Sequence, residues 1–408
     1  MHKEHKFVVL DAFRGLAALV VVQYHVWQFF GRRIFPRGYL AVDFFFMLSG
    51  FVLTHSYQKR LDDGWTMRQF VETRMARLYP LYFAGLVVSL LLFLVRIAVH
   101  SPQGHGAGTY ALLLALGVLF IPNPVVIVGY FPLIFPLNPP AWSLFYEMVI
   151  NVCHARFGRR RSVAFLLMIA GVAAVMLAAM TLHVGSLDSG ETAGQFGYAL
   201  VRVTFAYTMG ALLSRMWKAG IVRLPSLPLM ASVLLLGAFA VPATWHAATV
   251  DIVTVLGVFP VILLMGAAAQ PARWMIAPSL ALGKVSYGVY VLHVPLIALG
   301  EQLWMHLRGR AAGFDAPWSG LVLLTSTVLV VATLDKIYDV PVRRWMKSRL
   351  DRRAGSRMAM SLGCPVLVAT RADPRPGAGH VRITAMPARP KVESTPHADG
   401  TVRRTPRG

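Results

Sequence analysis

Ten apolar runs recur along the chain, near residues 10–30, 39–57, 78–98, 141–155, 162–183, 196–214, 228–243, 250–269, 282–301 and 318–335. About 20 apolar residues carry a helix across the ~30 Å hydrocarbon layer. In lipid such a segment must also satisfy its own backbone hydrogen bonds, which a helix does. The runs therefore predict an all-α polytopic membrane protein with about ten transmembrane helices. Only 14 % of the residues are charged, against roughly 25 % in soluble domains. The first run is too long for the apolar part of a signal peptide and lacks a small-residue cleavage site, so it reads as a retained helix.

The stretch 109–140 is apolar but broken by "IPNPVV", "YFPLIFPLNPP" and several glycines. That pattern suits a re-entrant or hairpin element covered by protein better than a single span. From about residue 351 periodicity vanishes and Pro, Gly and Arg accumulate. The chain thus divides into a transmembrane domain, 1–350, and a disordered basic tail, 351–408.

The net charge of +22 invites a nucleic-acid reading, but the cations collect in the loops and the tail. If the N-terminus lies inside and 109–140 returns to its own side, the inside loops hold "QKRLDDGWTMRQFVETRMAR", "RFGRRR", "RMWKAGIVR" and the tail. Both termini are then cytoplasmic, by the positive-inside rule. No aromatic residues interleave with the tail's charges, so anionic lipid headgroups are its expected partner and nucleic acid is not. Two cysteines give neither a disulfide framework nor a metal-ligand cluster, and no metal site is expected.

Within "LDAFRGLAALVVVQYHVWQFF", Arg14 and His25 stand eleven residues apart. Eleven residues turn the helix to within about 20° of three full turns, so the two share one face, ~16 Å apart along the axis. Ionisable groups inside a membrane are costly and normally face a cavity or a partner. Asp43 in the second run and Glu147 in the fourth fall in the same outer half as His25. His293 falls near the midplane of the ninth, with Ser286 and Tyr290 on its face. Each has a plainer reading. Arg14 can snorkel, Asp43 can cap or pack a helix, and a lone buried histidine is more often structural. Trp142 reads best as an interfacial anchor, and Ser49-Gly50 as a close helix approach.

The same segments, in order, resemble the membrane-bound acyltransferase-3 family. "LDAFRGLAALVVVQYH" resembles its opening motif, an arginine and a histidine separated by ten residues. "GYLAVDFFFMLSGFVL", "RMARLYPLYF", "PAWSLFYEM" and "LGKVSYGVYVLHVPL" resemble its later segments. Many members carry a second glutamate where this chain has Met148, so the acid role falls on Glu147 alone. No esterase-like domain is expected in the tail.

The resemblance implies a bacterial inner-membrane O-acyltransferase. Its donor would be cytoplasmic acyl-CoA, most often acetyl-CoA, as a co-substrate with no permanently bound cofactor. Its acceptor would be a hydroxyl of a cell-surface glycan or lipid-linked sugar; macrolide-type acceptors also occur. On that reading Arg74 and Arg77, with Arg68, suit the donor phosphates, although ordinary positive-inside topology accounts for them equally. Arg14 would guide the thioester inward, and His25 would act as general base, oriented by Glu147 or Asp43. A covalent acyl-histidine is the competing route. His293 and Tyr290 are placed with the substrate. A transporter or flippase is the alternative class, but inverted repeats, common in that class, are not visible in the sequence.

Overall fold

The computed structural model describes residues 7–99, 107–123, 132–158, 161–222 and 224–361. It divides into two units, residues 1–344 and 345–408. Fourteen α-helices are described: α1 Val8–His25, α2 Trp27–Phe30, α3 Ala41–Asp62, α4 Met67–Val99, α5 Ala107–Val118, α6 Ala141–Cys153, α7 Val163–Val184, α8 Phe196–Lys218, α9 Pro228–Ala240, α10 Ala247–Val253, α11 Phe259–Ala268, α12 Arg273–Arg308, α13 Trp318–Leu334 and α14 Val340–Ser361. Among the described residues the only β pairing is an isolated bridge, Leu133 to Thr192. The protein is all-α and polytopic.

Among the described residues, eight segments are long and apolar enough to cross a membrane: Val8–His25, Gly38–Tyr57, Met67–Val95, Val163–Val184, Ala193–Lys218, Ala247–Ala268, Arg273–Arg308 and Trp318–Arg352. The other two expected spans are shorter helices of 13 residues, α6 and α9. Prolines explain both: α6 begins directly after Pro139-Pro140, and α9 starts at Pro228 and stops before Pro242. A π turn, His154–Gly158, extends α6. Helix ends carry the expected signals. Ser162 caps α7 by accepting from Phe165 N, and Gly185, at φ 97°, closes it. The outward faces of α7, α9 and α13 are apolar, with Val175, Val233 and Leu329 each about two-thirds exposed or more, as lipid contact requires.

Two close crossings set the core. A Cβ on Gly50 of α3 would come within 2.0 Å of the Tyr207 carbonyl oxygen on α8, and one on Gly210 within 2.0 Å of the Met47 carbonyl oxygen. Only glycine lets these backbones meet, the small-residue packing of membrane helices. α1 and α12 cross in the same manner, with Gly15 against Leu282 and Gly283 against Asp11.

The 109–140 stretch folds back on itself. α5 runs antiparallel to α4, with Tyr110 stacked on Phe93 at 3.6 Å. It reaches only as far as Tyr82 and Tyr79, whose hydroxyls donate to the Gly117 and Val118 carbonyls at 2.7 Å. Asn123 N then bonds Ile134 O at 2.7 Å, returning the chain to α6. Residues 124–131 lie outside the described residues. At the other end, α14 stays helical to Ser361, eleven residues into the stretch read as disordered tail. Arg352, which donates to the Ser348 carbonyl and hydroxyl, shows local side-chain support for that helix. The rest of the tail, 362–408, is outside the described residues.

Candidate active site

Helices α1, α3, α4, α6 and α12 enclose a cavity of about 470 Å³. It runs from the amino end of α1 (Phe7, Asp11) and the last turns of α3 (Ser56, Tyr57) inward to Ser143 and Tyr290. Arg14, Arg74, Arg77 and Glu147 line it between those limits. Arg14 is fixed from α12: its Nε donates to Ser286 Oγ at 2.8 Å and its guanidinium to the Gly283 carbonyl at 2.6 Å. Asp11 lies 3.0 Å away on its own helix. Arg74 donates to Glu147 Oε1 at 2.7 Å, and the Ser49 hydroxyl to the same oxygen at 2.6 Å. Arg77 points into the cavity and, among the described residues, has no ion pair. Three guanidinium groups thus face two carboxylates, and the cavity carries a positive excess.

At the inner limit, Tyr290 Oη and Ser143 Oγ are 2.6 Å apart. One turn further along α12 is the fully buried His293, its ring 6.1 Å from that of Tyr290. The His25 ring follows at 5.0 Å. His25 is the final residue of α1 and is exposed. The structure thus sets Tyr290, His293 and His25 in file from the end of the cavity to the opposite face.

The expected carboxylate does not stand at His25. Its Nδ1 lies 2.8 Å from the Val21 carbonyl, while Glu147 is taken by Arg74 and Ser49 and lines the cavity with Arg14. Asp43 is fully buried in a two-pronged pair with Arg202, at 2.6 and 3.1 Å. Arg202 in turn donates to the Ser189 carbonyl and lies 5.6 Å over the Trp142 ring. Trp142 is therefore a buried support and not an interfacial anchor. Met148 is likewise buried. Ser49 is more than a small residue at a crossing, since its hydroxyl fixes Glu147.

Sequence reading passed over Arg202, Arg37 and Asp251. Arg37 and Asp251 form a second buried pair, at 2.6 Å. Arg202 and Asp251 sit inside apolar runs, so the rule that singled out Arg14 would have found them. Asp188, which accepts a short hydrogen bond from the Tyr24 hydroxyl beside His25, lies in a loop and gives no such signal.

Comparison with known proteins gives the family. The family described as "Acyltransferase domain" matches residues 7–335. Over 180 residues the chain is 41 % identical to "Protein 2 in picA locus" of Rhizobium radiobacter, covering 42 % of this chain and 93 % of that protein. It is 27 % identical over 379 residues to "Acyltransferase MdmB" of Streptomyces mycarofaciens, 83 % of this chain and 92 % of that one. A 72-residue match at 40 % identity, 17 % of this chain and 21 % of the other, links it to "Putative acetyltransferase ORF330" of Acidianus two-tailed virus. No solved structure matches. With the family's domain spanning almost all of the helical bundle, this chain belongs to the acyltransferase-3 family and is a multi-pass membrane acyltransferase.

Proposed function

We propose that the protein moves an acyl group, in the first instance acetyl, from cytoplasmic acyl-CoA to a hydroxyl of a cell-surface glycan or lipid-linked sugar, in a bacterial inner membrane with both termini inside. The observation that carries this reading is the cavity's end point: it stops at Tyr290, one turn from His293, with the exposed His25 beyond. A donor entering at the amino end of α1 and an acceptor arriving at the opposite face would meet at that file. The volume falls within the ~300–1,000 Å³ of ligand pockets. The arginines supply planar, permanently charged forks for phosphate. The printed name of the viral match, an acetyltransferase, favours the short acyl group.

In the transfer, His25 Nε2 takes the proton of the acceptor hydroxyl as its oxygen attacks the thioester carbonyl. The new C–O bond forms, the C–S bond breaks, and the coenzyme leaves as a thiolate that recovers the proton from the imidazolium. Arg14, Arg74 and Arg77 hold the donor, and the Tyr290 and Ser143 hydroxyls mark the cavity end from which the thioester passes His293 to reach His25. The test is mass spectrometry of surface glycans from strains with and without the protein, paired with acetyl-CoA turnover by the purified protein in nanodiscs. An ester present only with the protein, and coenzyme A release dependent on His25, are expected. Identical glycans with no coenzyme A release would overturn the reading.

A further inference from the structure

The donor cavity changes character along its length. Arg14 is held at the level of Ser286, and Glu147 at the level of Ser49. One to two helical turns nearer His25, the lining is Val42, Phe45 and Phe46 of α3, Ser143 and Leu144 of α6, and Tyr290 of α12. Among the described residues this end of the cavity is apolar apart from two hydroxyls.

Those two hydroxyls are tied together across the end. Ser143 Oγ donates to the Pro140 carbonyl at 3.2 Å. A hydroxyl has one hydrogen, so the 2.6 Å bond between Ser143 and Tyr290 is donated by the tyrosine. The Tyr290 ring is braced by the Phe45 ring, edge-on at 5.3 Å, and by the His293 ring at 6.1 Å. Side chains of three helices, α3, α6 and α12, thus form a bar across the apolar end, with Tyr290 and Ser143 both buried. His293 and then His25 follow behind it.

Transfer at His25 requires the thioester to pass that bar. Freeing Tyr290 from Ser143 breaks one hydrogen bond, and the thioester carbonyl oxygen offers a replacement acceptor for the same hydrogen. The ring, packed on Phe45, still narrows the passage. Val42, Phe46 and Leu144 would favour a longer hydrocarbon chain, because each buried methylene gains from leaving water. The room for it is what the bar denies, and forcing extra methylenes against a packed wall is unfavourable.

We infer that Tyr290, set in place by Ser143 and Phe45, is the acyl selector of the donor cavity, passing two- and three-carbon acyl groups to the histidines and turning back longer chains. This rests on the acyl-CoA reading above and adds to it the residues that fix acyl length.

The test is calorimetric titration of the full chain in nanodiscs with coenzyme A, acetyl-CoA, butyryl-CoA and hexanoyl-CoA, with empty nanodiscs as the blank. The wild type should bind hexanoyl-CoA at least tenfold more weakly than acetyl-CoA, with butyryl-CoA between them. Tyr290→Ala and Phe45→Ala should each bring acetyl- and hexanoyl-CoA within threefold, with hexanoyl-CoA bound more tightly than by the wild type. Phe45 is only partly buried, so its variant carries the test should Tyr290→Ala fail to fold. Ser143→Ala unties the ring without resizing it and should narrow the gap in the same direction. Damage to packing alone would weaken both donors together. A wild type without length preference, a gap that persists in every folded variant, or equal weakening of both donors would overturn the selector. Binding of neither coenzyme A nor acetyl-CoA to the wild type would instead strike the acyl-CoA reading, and the selector with it.

Discussion

The imidazoles of His25 and His293 lie 5.0 Å apart, and each turns its Nδ1 to a carbonyl of its own helix, Val21 at 2.8 Å and Tyr290 at 2.7 Å. A carbonyl only accepts, so in the neutral rings Nδ1 carries the hydrogen and Nε2 is the basic nitrogen. His25 is exposed and can meet an acceptor. His293 is fully buried, and among the described residues its Nε2 has no hydrogen-bond partner. On the proposed mechanism the pair therefore divides into a base, His25, and a ring that packs against it.

This division predicts unequal losses. His25→Ala removes the base and should lower kcat by about 10²–10⁴. His293→Ala leaves the base in place but unsupported. A misplacement of about 1 Å can cost 10²-fold, so its loss should stay near or below that. Added imidazole should restore part of the activity of His25→Ala only. Equal losses, with rescue of His293→Ala, would make His293 the base.

Glu147 answers to a different partner from the one its sequence position suggested. Its Oε1 holds Arg74 and Ser49 at the wall of the cavity. Glu147→Gln weakens a hydrogen bond to a charged group, an effect of about 1.5–3 kcal/mol. The acetyl-CoA KM should rise roughly tenfold or more, with the acceptor KM and the shape of the pH–rate profile unchanged. A fall in kcat with both KM values flat would return Glu147 to the chemistry at His25.

The helices and their order were legible because lipid enforces length and apolarity, and because each intramembrane charge stands out against its run. The shared face of Arg14 and His25 could be read from their spacing alone. Pairing could not, because depth says nothing about rotation or neighbouring helices. Asp43 and Glu147 looked like partners for His25 until the α3–α8 and α4–α6 contacts gave them Arg202 and Arg74. The loop residue Asp188 was invisible for a related reason: its neighbours Leu187 and Ser189 are held by Arg37–Asp251 and Arg202–Asp43, four residues scattered over 215 positions.

Orientation is tested by labelling, with Cys153 and Cys364 first replaced by serine. Trp245 is exposed in the loop after α9, at the end of the bundle that carries His25. Arg68 is exposed at the start of α4, at the cavity's end. With the N-terminus inside, an impermeant maleimide should label Trp245→Cys in intact cells and reach Arg68→Cys only after lysis. The reverse pattern would invert the topology and place the donor cavity outside.

Asp43 supplies the last prediction. It is fully buried on α3, and its carboxylate holds a guanidinium that is itself 1 % exposed. Asp43→Asn leaves that charge uncompensated, and breaking one side of a buried pair typically costs about 3–5 kcal/mol. The variant should melt well below the wild type and accumulate poorly. Replacing both partners, Asp43→Leu with Arg202→Met, removes the stranded charge and should recover much of the stability. It should not recover function, because the Ser189 carbonyl then loses its donor and the loop that carries Asp188 is freed at one anchor. A melting temperature unchanged in Asp43→Asn would show that the pair is not buried as described. Full activity in the stable double variant would free the 185–195 loop of any part in catalysis.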